Sequence, residues 1–487
     1  MPTVAQLMQA LPEPDAAEAG PGAAPPETAP AAMLQDLPAA LGEMSLRPAP
    51  VGRLRRMGLL ATLQAKIGAA YLFYWIRGWF AGAGEKERLV AEAHWKAAAR
   101  LLDSMSYLRG AVMKVGQTLA NFPDIAPQPF VETLERLHFD APPMHWSLLR
   151  EMVHNELGDD PERLFASFET RAFAAASLGQ VHRATLKNGA EAAVKIQYPG
   201  IARTIRDDLR NLQLFLLPAR LDKDWEYVRE QFEELRIRLE QETDYEAEAA
   251  SQDKVRALFG EDEGIIVPRV YPQWSTKRVL SMERIEGVHL DEFVARGPTQ
   301  DERNAAATKL VRAWYRMMYA GRLLYVDFHP GNMLFLDDGR VGLIDFGIML
   351  PLEGELWDEM RLMDRALTTG DRDDRIAANK RWCDITDAPD DAGRLNLTEA
   401  YADWCWRPRY CGGEFDFGDE QDFRRGIDLF TNMVSRRYAR AKPCTPVIAR
   451  SNFGWRSLLY RLKAKIDLRP IAEEEVKAAG WDRSDYA

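Results

Sequence analysis

The alternation of apolar and polar residues changes period along the chain. From about residue 85 to 165, alanine, leucine and larger apolar residues recur at helical spacing, broken by loops at FPDIAPQP and DAPPMHW. From about 170 the period shortens to two. QVHRATL and AEAAVKIQ read as strands joined through Lys-Asn-Gly. A long charged helix follows, from about Asp224 to Phe259. IIVPRVYPQWSTKRVLSMERIEG reads as two more strands and the stretch from about 300 to 320 as a helix. YVDFHPGNMLFLDDGRVGLIDFG, Tyr325 to Gly347, is two apolar runs joined by Asp-Asp-Gly, a hairpin with polar ends; a mostly helical stretch follows it. A β-rich part before about 285 and a helical part after it predict an α+β protein of two lobes with a cleft between them.

The polar ends of that hairpin carry candidate chemistry. Asp338-Gly339 is a favoured two-residue turn. Pairing around it sets Leu336 opposite Val341, Met333 opposite Ile344 and Asn332 opposite Asp345. Opposed Cβ atoms lie about 4.5–5.5 Å apart, so the Asn carbonyl and Asp carboxylate can share one Mg²⁺, a hard cation that prefers oxygen. Asp327 lies just before, beside the metal, where a base accepting a hydroxyl proton belongs. Asp-x4-Asn followed by Asp-Phe-Gly is the protein-kinase order of catalytic Asp, metal Asn and metal Asp. A second Asp-Phe-Gly, at Asp416-Phe417-Gly418, has no apolar strand or Asp-x4-Asn before it and reads as coincidence.

A phosphate site also needs a strand lysine and a helical glutamate to orient it. Lys195 has the strand context, in EAAVKIQ. In RLEQETDYEAEAASQ, Asp244 and Glu248 are four apart and share a helix face, whereas Glu242 and Asp244 point to different sides of an unbroken helix. The loop that should cover the phosphates reads Ala174, Ala175, Ala176, Ser177 where ordinary kinases place glycines. Taken alone, that departure weakens the kinase reading.

Composition narrows the field. A net charge of -11 argues against a nucleic-acid binder. The four cysteines are too scattered for a disulfide scaffold or a zinc site and read as unpaired thiols in a reducing compartment. Residues 1–50 are Ala/Pro/Glu-rich, read as a disordered tail, and match neither a secretory signal nor a transit peptide. Arg53, Arg55 and Arg56 then precede a segment containing Tyr71, Trp75 and Trp79. Its uncharged run, Ile67 to Ile76, is too short to cross a bilayer. A helix lying in a membrane interface and a helix packed on the main domain are both open for residues 53–80. The expected location is cytoplasmic, or peripheral on an inner membrane.

These features together resemble the UbiB family of atypical protein-kinase-like proteins, also called ADCK or AarF. The match rests on the Ala-Ala-Ala-Ser loop, on Lys114-Val115-Gly116-Gln117, on Glu242-Thr243-Asp244 with Tyr245 and Glu248, and on DFHPGN with LIDFG. It runs from about residue 50 to 470. The resemblance implies a bilobal protein-kinase-like fold with a helical extension over the cleft. It divides the chain into a tail (1–50), an extension (51–165), an N-lobe (166–285), a C-lobe (286–475) and a C-terminal tail (476–487). It implies ATP or ADP with Mg²⁺. Lys195 pairs with Glu248, Asn332 and Asp345 hold the metal, Asp327 is catalytic, and backbone from Glu283 to Ile285 takes the adenine. Lys114, Gly116 and Gln117 fold over toward Glu242 and Asp244. The family is tied to ubiquinone or other isoprenoid-lipid metabolism, with ATP hydrolysis or small-molecule phosphorylation rather than protein phosphorylation. Partners follow as a nucleotide, an isoprenoid lipid or membrane surface, and a second copy or lipid-biosynthesis proteins. A nucleotide-sensing pseudokinase scaffold is the alternative. A soluble kinase of the aminoglycoside or choline type fits less well, given the Lys-x-Gly-Gln and Ala-rich stretches. Tyr325 stands where many bacterial members have His, and His329 reads as structural.

Overall fold

The computed structural model describes residues 146–481 apart from 177, 204, 207, 208, 210–224, 261, 262, 370, 387–390 and 436–444. Lys114, Gly116, Gln117, Ser177 and the segment 53–80 lie outside the described residues. By its contacts the chain divides into two units, of which residues 143–202 and 213–487 form the one treated below.

Its first part is an antiparallel sheet of five strands. β1 (Ser167–Phe168) and β2 (Ala174–Ala176) pair with β3 (Gly179–Thr185), which pairs with β4 (Glu191–Gln197), and β4 with β6 (Val279–Glu283). β4 is buried along six of its seven residues because both of its faces are covered. Ala192, Val194 and Ile196 meet Leu149, Met152 and Val153 of helix α1 (Trp146–Leu157). The alternate residues turn the other way, and Ala193 packs with Tyr245, Leu280 and Met282. Lys195 shares that second face. α1 is therefore part of the β-lobe core, although the boundary expected at 165 set it with the helical extension. Gly179 is required where β3 approaches β4: a Cβ there would lie 2.0 Å from the Ile196 carbonyl oxygen.

The single charged helix expected from 224 to 259 is two. α2 (Trp225–Gln241) ends before Glu242, and α3 (Tyr245–Arg256) starts after Asp244. Asp244 is the N-cap of α3 and accepts from the Ala247 N–H at 3.2 Å. The Gln197 amide donates to the Thr243 carbonyl at 2.8 Å, and Tyr245 N–H donates to the Lys277 carbonyl at 3.1 Å, so the break is pinned to β4 and to the start of β6.

The second part is helical around a small sheet. β8 (Met333–Phe335) pairs with β9 (Val341–Leu343), and β9 pairs in parallel with β5 (Ile265–Ile266). The stretch from Ile265 to Val270 thus begins on this small sheet and ends as a bridge from Val270 to Met282 of β6. Val288, just past β6, exchanges both backbone hydrogen bonds with Phe335, at 2.9 and 2.8 Å. Helix α4 (Gln300–Tyr319) begins at a capping box between Thr299 and Glu302 and buries Leu310, Val311, Trp314 and Met317. It leads into β7 (Leu323–Tyr325), which pairs with β10 (Met349–Pro351). Helices α5 (Gly354–Thr369), α6 (Arg372–Trp382), α7 (Ala392–Tyr410), α8 (Glu420–Ser435), α9 (Thr445–Leu462) and α10 (Leu468–Ala478) complete the lobe. α10 runs past the C-lobe boundary expected at 475, with Val476 buried and the Trp481 ring edge-on to Tyr319 and Trp357. Among the described helices, none is long and apolar enough to cross a membrane.

Candidate nucleotide site

The sheet brings Lys195 to α3. Its ammonium is buried and donates to both carboxylate oxygens of Glu248, at 2.8 and 3.0 Å. It also reaches Asp345 Oδ2 at 3.3 Å. The Tyr245 ring lies beneath it, 4.9 Å from the nitrogen. Burial alone would lower the lysine pKa, but Asp345 and Glu248 outweigh it and hold the amine protonated, well above its ordinary value. Burial raises the Glu248 pKa, and Asp345, competing for the same cation, raises it further against the pull of Lys195. Two carboxylates on one ammonium leave an excess of negative charge at this point, the condition a divalent cation offsets.

The hairpin register differs by one residue from the expected one. Met333 faces Leu343, Leu334 faces Gly342 and Phe335 faces Val341. Gly339 N–H bonds the Leu336 carbonyl at 3.0 Å, Leu336 N–H bonds the Arg340 carbonyl at 3.0 Å, and Gly339 has φ 82°. The turn is thus a three-residue loop whose glycine occupies the left-handed region, adding one residue to the Asp338-Gly339 turn. Asn332 sits opposite Ile344, whose N–H donates to its carbonyl at 3.0 Å; Asp345 lies one residue beyond. The hairpin at Asn188-Gly189 has the same construction: Gly189 N–H to the Leu186 carbonyl at 2.8 Å and Leu186 N–H to the Ala190 carbonyl at 2.8 Å.

Other contacts hold the acidic groups together. The Asn332 amide donates to the Asp327 backbone oxygen at 3.0 Å and to its carboxylate at 3.1 Å, which leaves the Asn332 carbonyl oxygen as the acceptor. The Tyr325 hydroxyl donates to the Asp345 backbone carbonyl at 2.8 Å and also meets the Asn332 side chain. Its ring is fully buried, edge-on to Phe328 and tilted against Phe346, while Ser451 Oγ donates to its carbonyl at 2.8 Å. Burial, reinforced by Asp345 and Asp327, holds the phenol pKa well above its ordinary value, so it remains a donor. Asp345 Oδ1 accepts from Gly347 N–H at 3.0 Å. Asn332 and Asp345 offer only oxygen, a set that fits Mg²⁺. His329 caps a short turn, accepting from Gly331 N–H at 2.9 Å.

The remaining expected residues divide. Ala174, Ala175 and Ala176 form strand β2 against Val181, Gln180 and Gly179. Glu283 ends β6 and Arg284 N–H makes the next bond, to the Glu191 carbonyl at 3.1 Å, with Ile285 half-buried beyond it. Asp244 pairs with Lys277 at 2.9 Å rather than sharing a helix face with Glu248, and Glu242 is buried in the turn between α2 and α3. Asp416 pairs with Lys465 at 2.8 Å away from this cluster, although it makes the same local turn as Asp345, accepting from Gly418 N–H at 2.9 Å. Sequence reasoning assigned no role to Tyr245 or Ser451. The run Asp244-Tyr245 placed Tyr245 at a helix start, but nothing local ties Ser451 to a strand so distant in the chain.

The model of the ABC1 atypical kinase-like domain matches residues 136–378. The chain is 31% identical over 381 residues to the atypical kinase COQ8B, mitochondrial, of Rattus norvegicus, covering 77% of this chain and 71% of that protein. It is 33% identical over 255 residues to AarF domain-containing protein kinase 1 of Xenopus tropicalis, covering 52% and 49%. The solved structure of the Rv3197–erythromycin complex from Mycobacterium tuberculosis is similar at a TM-score of 0.53 and 27% identity, over 80% of this chain and 98% of that one.

Proposed function

Because the chain belongs to the UbiB/ADCK family of ABC1 atypical kinase-like proteins, we propose that it binds ATP with Mg²⁺ in the cleft and turns it over, as an ATPase or a small-molecule kinase. The observation that carries this reading is one buried ammonium, Lys195, bonded to both Glu248 and Asp345. The lysine contacts the nucleotide phosphates, Glu248 keeps it aimed, and backbone from Glu283 to Ile285 receives the adenine. Asn332 and Asp345 would hold the Mg²⁺, whose charge offsets that developing on the transferred phosphoryl group. Asp327 accepts the proton of the attacking hydroxyl or water.

The cellular setting is isoprenoid-quinone lipid metabolism at a membrane, with residues 53–80 as the surface-seeking segment and Lys114 and Gln117 closing over the cleft. Family membership and the Arg/Trp composition of 53–80 support it. Phosphate release, measured with and without lipid vesicles, tests the reading. Asp327→Asn should abolish release and leave Mg·ATP affinity unchanged; equal release by the variant would remove Asp327 from the chemistry. A nucleotide-gated scaffold is the second reading, favoured by the hold of the Asn332 amide on the Asp327 carboxylate. It predicts Mg·ATP binding without release by the unaltered protein.

A further inference from the structure

Lys195 carries three N–H donors, and three carboxylate oxygens take them: Glu248 Oε1 at 2.8 Å, Glu248 Oε2 at 3.0 Å and Asp345 Oδ2 at 3.3 Å. A phosphate oxygen that meets this lysine has to take over one of those donors. The bond to Asp345 is the longest, and Asp345 is also the proposed metal ligand, so this is the bond to be given up. The lysine is 5% exposed, and water cannot replace the charge stabilisation it loses.

The face of the Tyr245 ring can. Its centroid lies 4.9 Å from the lysine nitrogen. A ring face attracts a cation through its quadrupole and does not hold any one N–H as an oxygen does. A carboxylate in the same place would take a donor and add a third negative charge beside Glu248 and Asp345. Several contacts fix this face. Tyr245 is the first residue of α3. Its N–H donates to the Lys277 carbonyl at 3.1 Å, and the Asp244 carboxylate just before it pairs with the Lys277 ammonium at 2.9 Å. The tyrosine is 1% exposed and packs with Ala193, Leu280 and Met282, on the face of β4 that carries Lys195. Its hydroxyl has no hydrogen-bond partner among the described residues, so the tyrosine acts on the lysine through its face.

We propose that Tyr245 is a positioning residue for the nucleotide phosphates: its face supports the Lys195 charge while one N–H passes from Asp345 to a phosphate oxygen. This rests on the binding of Mg·ATP in the cleft. Tyr245→Phe keeps the face. Phenylalanines carrying one, two or three ring fluorines in its place keep the shape and drain the negative face. The probes are Mg·ATP and adenosine, which ends before the phosphates, each titrated into the full chain by calorimetry. Tyr245→Phe should bind Mg·ATP within about threefold of the unaltered protein. Each added fluorine should then raise the Kd for Mg·ATP, to about fivefold or more at three, and leave that for adenosine unchanged. A flat series, with Tyr245→Leu alone weakened, reduces the ring to packing and overturns the assignment. An equal loss of adenosine affinity overturns it too. Absence of Mg·ATP binding by the unaltered protein overturns the nucleotide reading and this one with it, whereas a flat series on a protein that binds Mg·ATP overturns this one alone.

Discussion

Tyr325→Phe removes one oxygen from the site and little else. The ring is fully buried, and phenylalanine keeps its contacts with Phe328 and Phe346, so the change opens almost no cavity. What disappears is the 2.8 Å hydrogen bond to the Asp345 carbonyl and the contact with Asn332. Stranding a buried acceptor costs about 1–3 kcal/mol. In a chain of 487 residues each kcal/mol lowers the melting midpoint by about 1 °C. Asp345 and Asn332 are also the proposed metal ligands, so part of the loss should fall on Mg·nucleotide binding. About 1.4 kcal/mol there is a tenfold rise in Kd. Thermal unfolding and titration with Mg·ATP, run on the same preparations, separate the two effects. Tyr325→His keeps a ring donor and should recover part of both. A phenylalanine variant with unchanged midpoint and Kd would refute the coupling altogether. A lowered midpoint with unchanged Kd would confine the hydroxyl to a structural role.

Lys195→Met leaves Glu248 buried beside Asp345 with no cation and should destabilise by about 3–5 kcal/mol. Lys195→Met/Glu248→Leu should regain part of that in a double-mutant cycle read by denaturant unfolding, and additive losses would argue against a coupled pair. His182 is buried against the rings of Trp146 and Phe168, bonds the Glu169 carbonyl at 2.9 Å, and has its pKa lowered by burial. The unfolded chain therefore binds this proton first, and stability should fall as pH drops below about 6.5, the ordinary histidine value. Thermal melts from neutral to acid pH should show that slope, and His182→Gln should flatten it; parallel profiles would count against it. Gly179→Ala drives a methyl group into the Ile196 carbonyl and should cost more than about 3 kcal/mol, measured as a drop in denaturant midpoint.

The clustering of these side chains was legible in the sequence where it depended on residue type and order. Lys195 in its apolar strand, Glu248 on the next helix, and the Asp327, Asn332, Asp345 order all reach one cluster. What failed depended on a single backbone choice. Gly339 takes a left-handed conformation in a three-residue loop, and that one residue shifts every pair in the hairpin. The Glu242-Thr243-Asp244 break was hidden because Asp244 fits a helix pattern while serving as a cap, a role fixed by Gln197 and Lys277 from elsewhere in the chain. Tyr325 could be seen as a departure, but its partner is a backbone carbonyl, which no side-chain pattern marks. The two Asp-Phe-Gly copies make the same point in reverse: both form the same local turn, but the strands around Asp345 bring it to the buried Lys195–Glu248 pair, whereas Asp416 meets only the exposed Lys465.

The small sheet acts as a gauge. β5 comes before β6 and Val288 comes after it, and both are bonded to the hairpin that carries Asn332 and Asp345. The backbone from Glu283 to Ile285 is therefore tied on one side, through Glu283 and Arg284, to β4 and Lys195, and on the other, through Val288, to the hairpin of the proposed metal ligands. In the proposed complex, a nucleotide is measured from base to metal between these two ties. A molecule of the wrong span fails to register at both ends, however well either end binds.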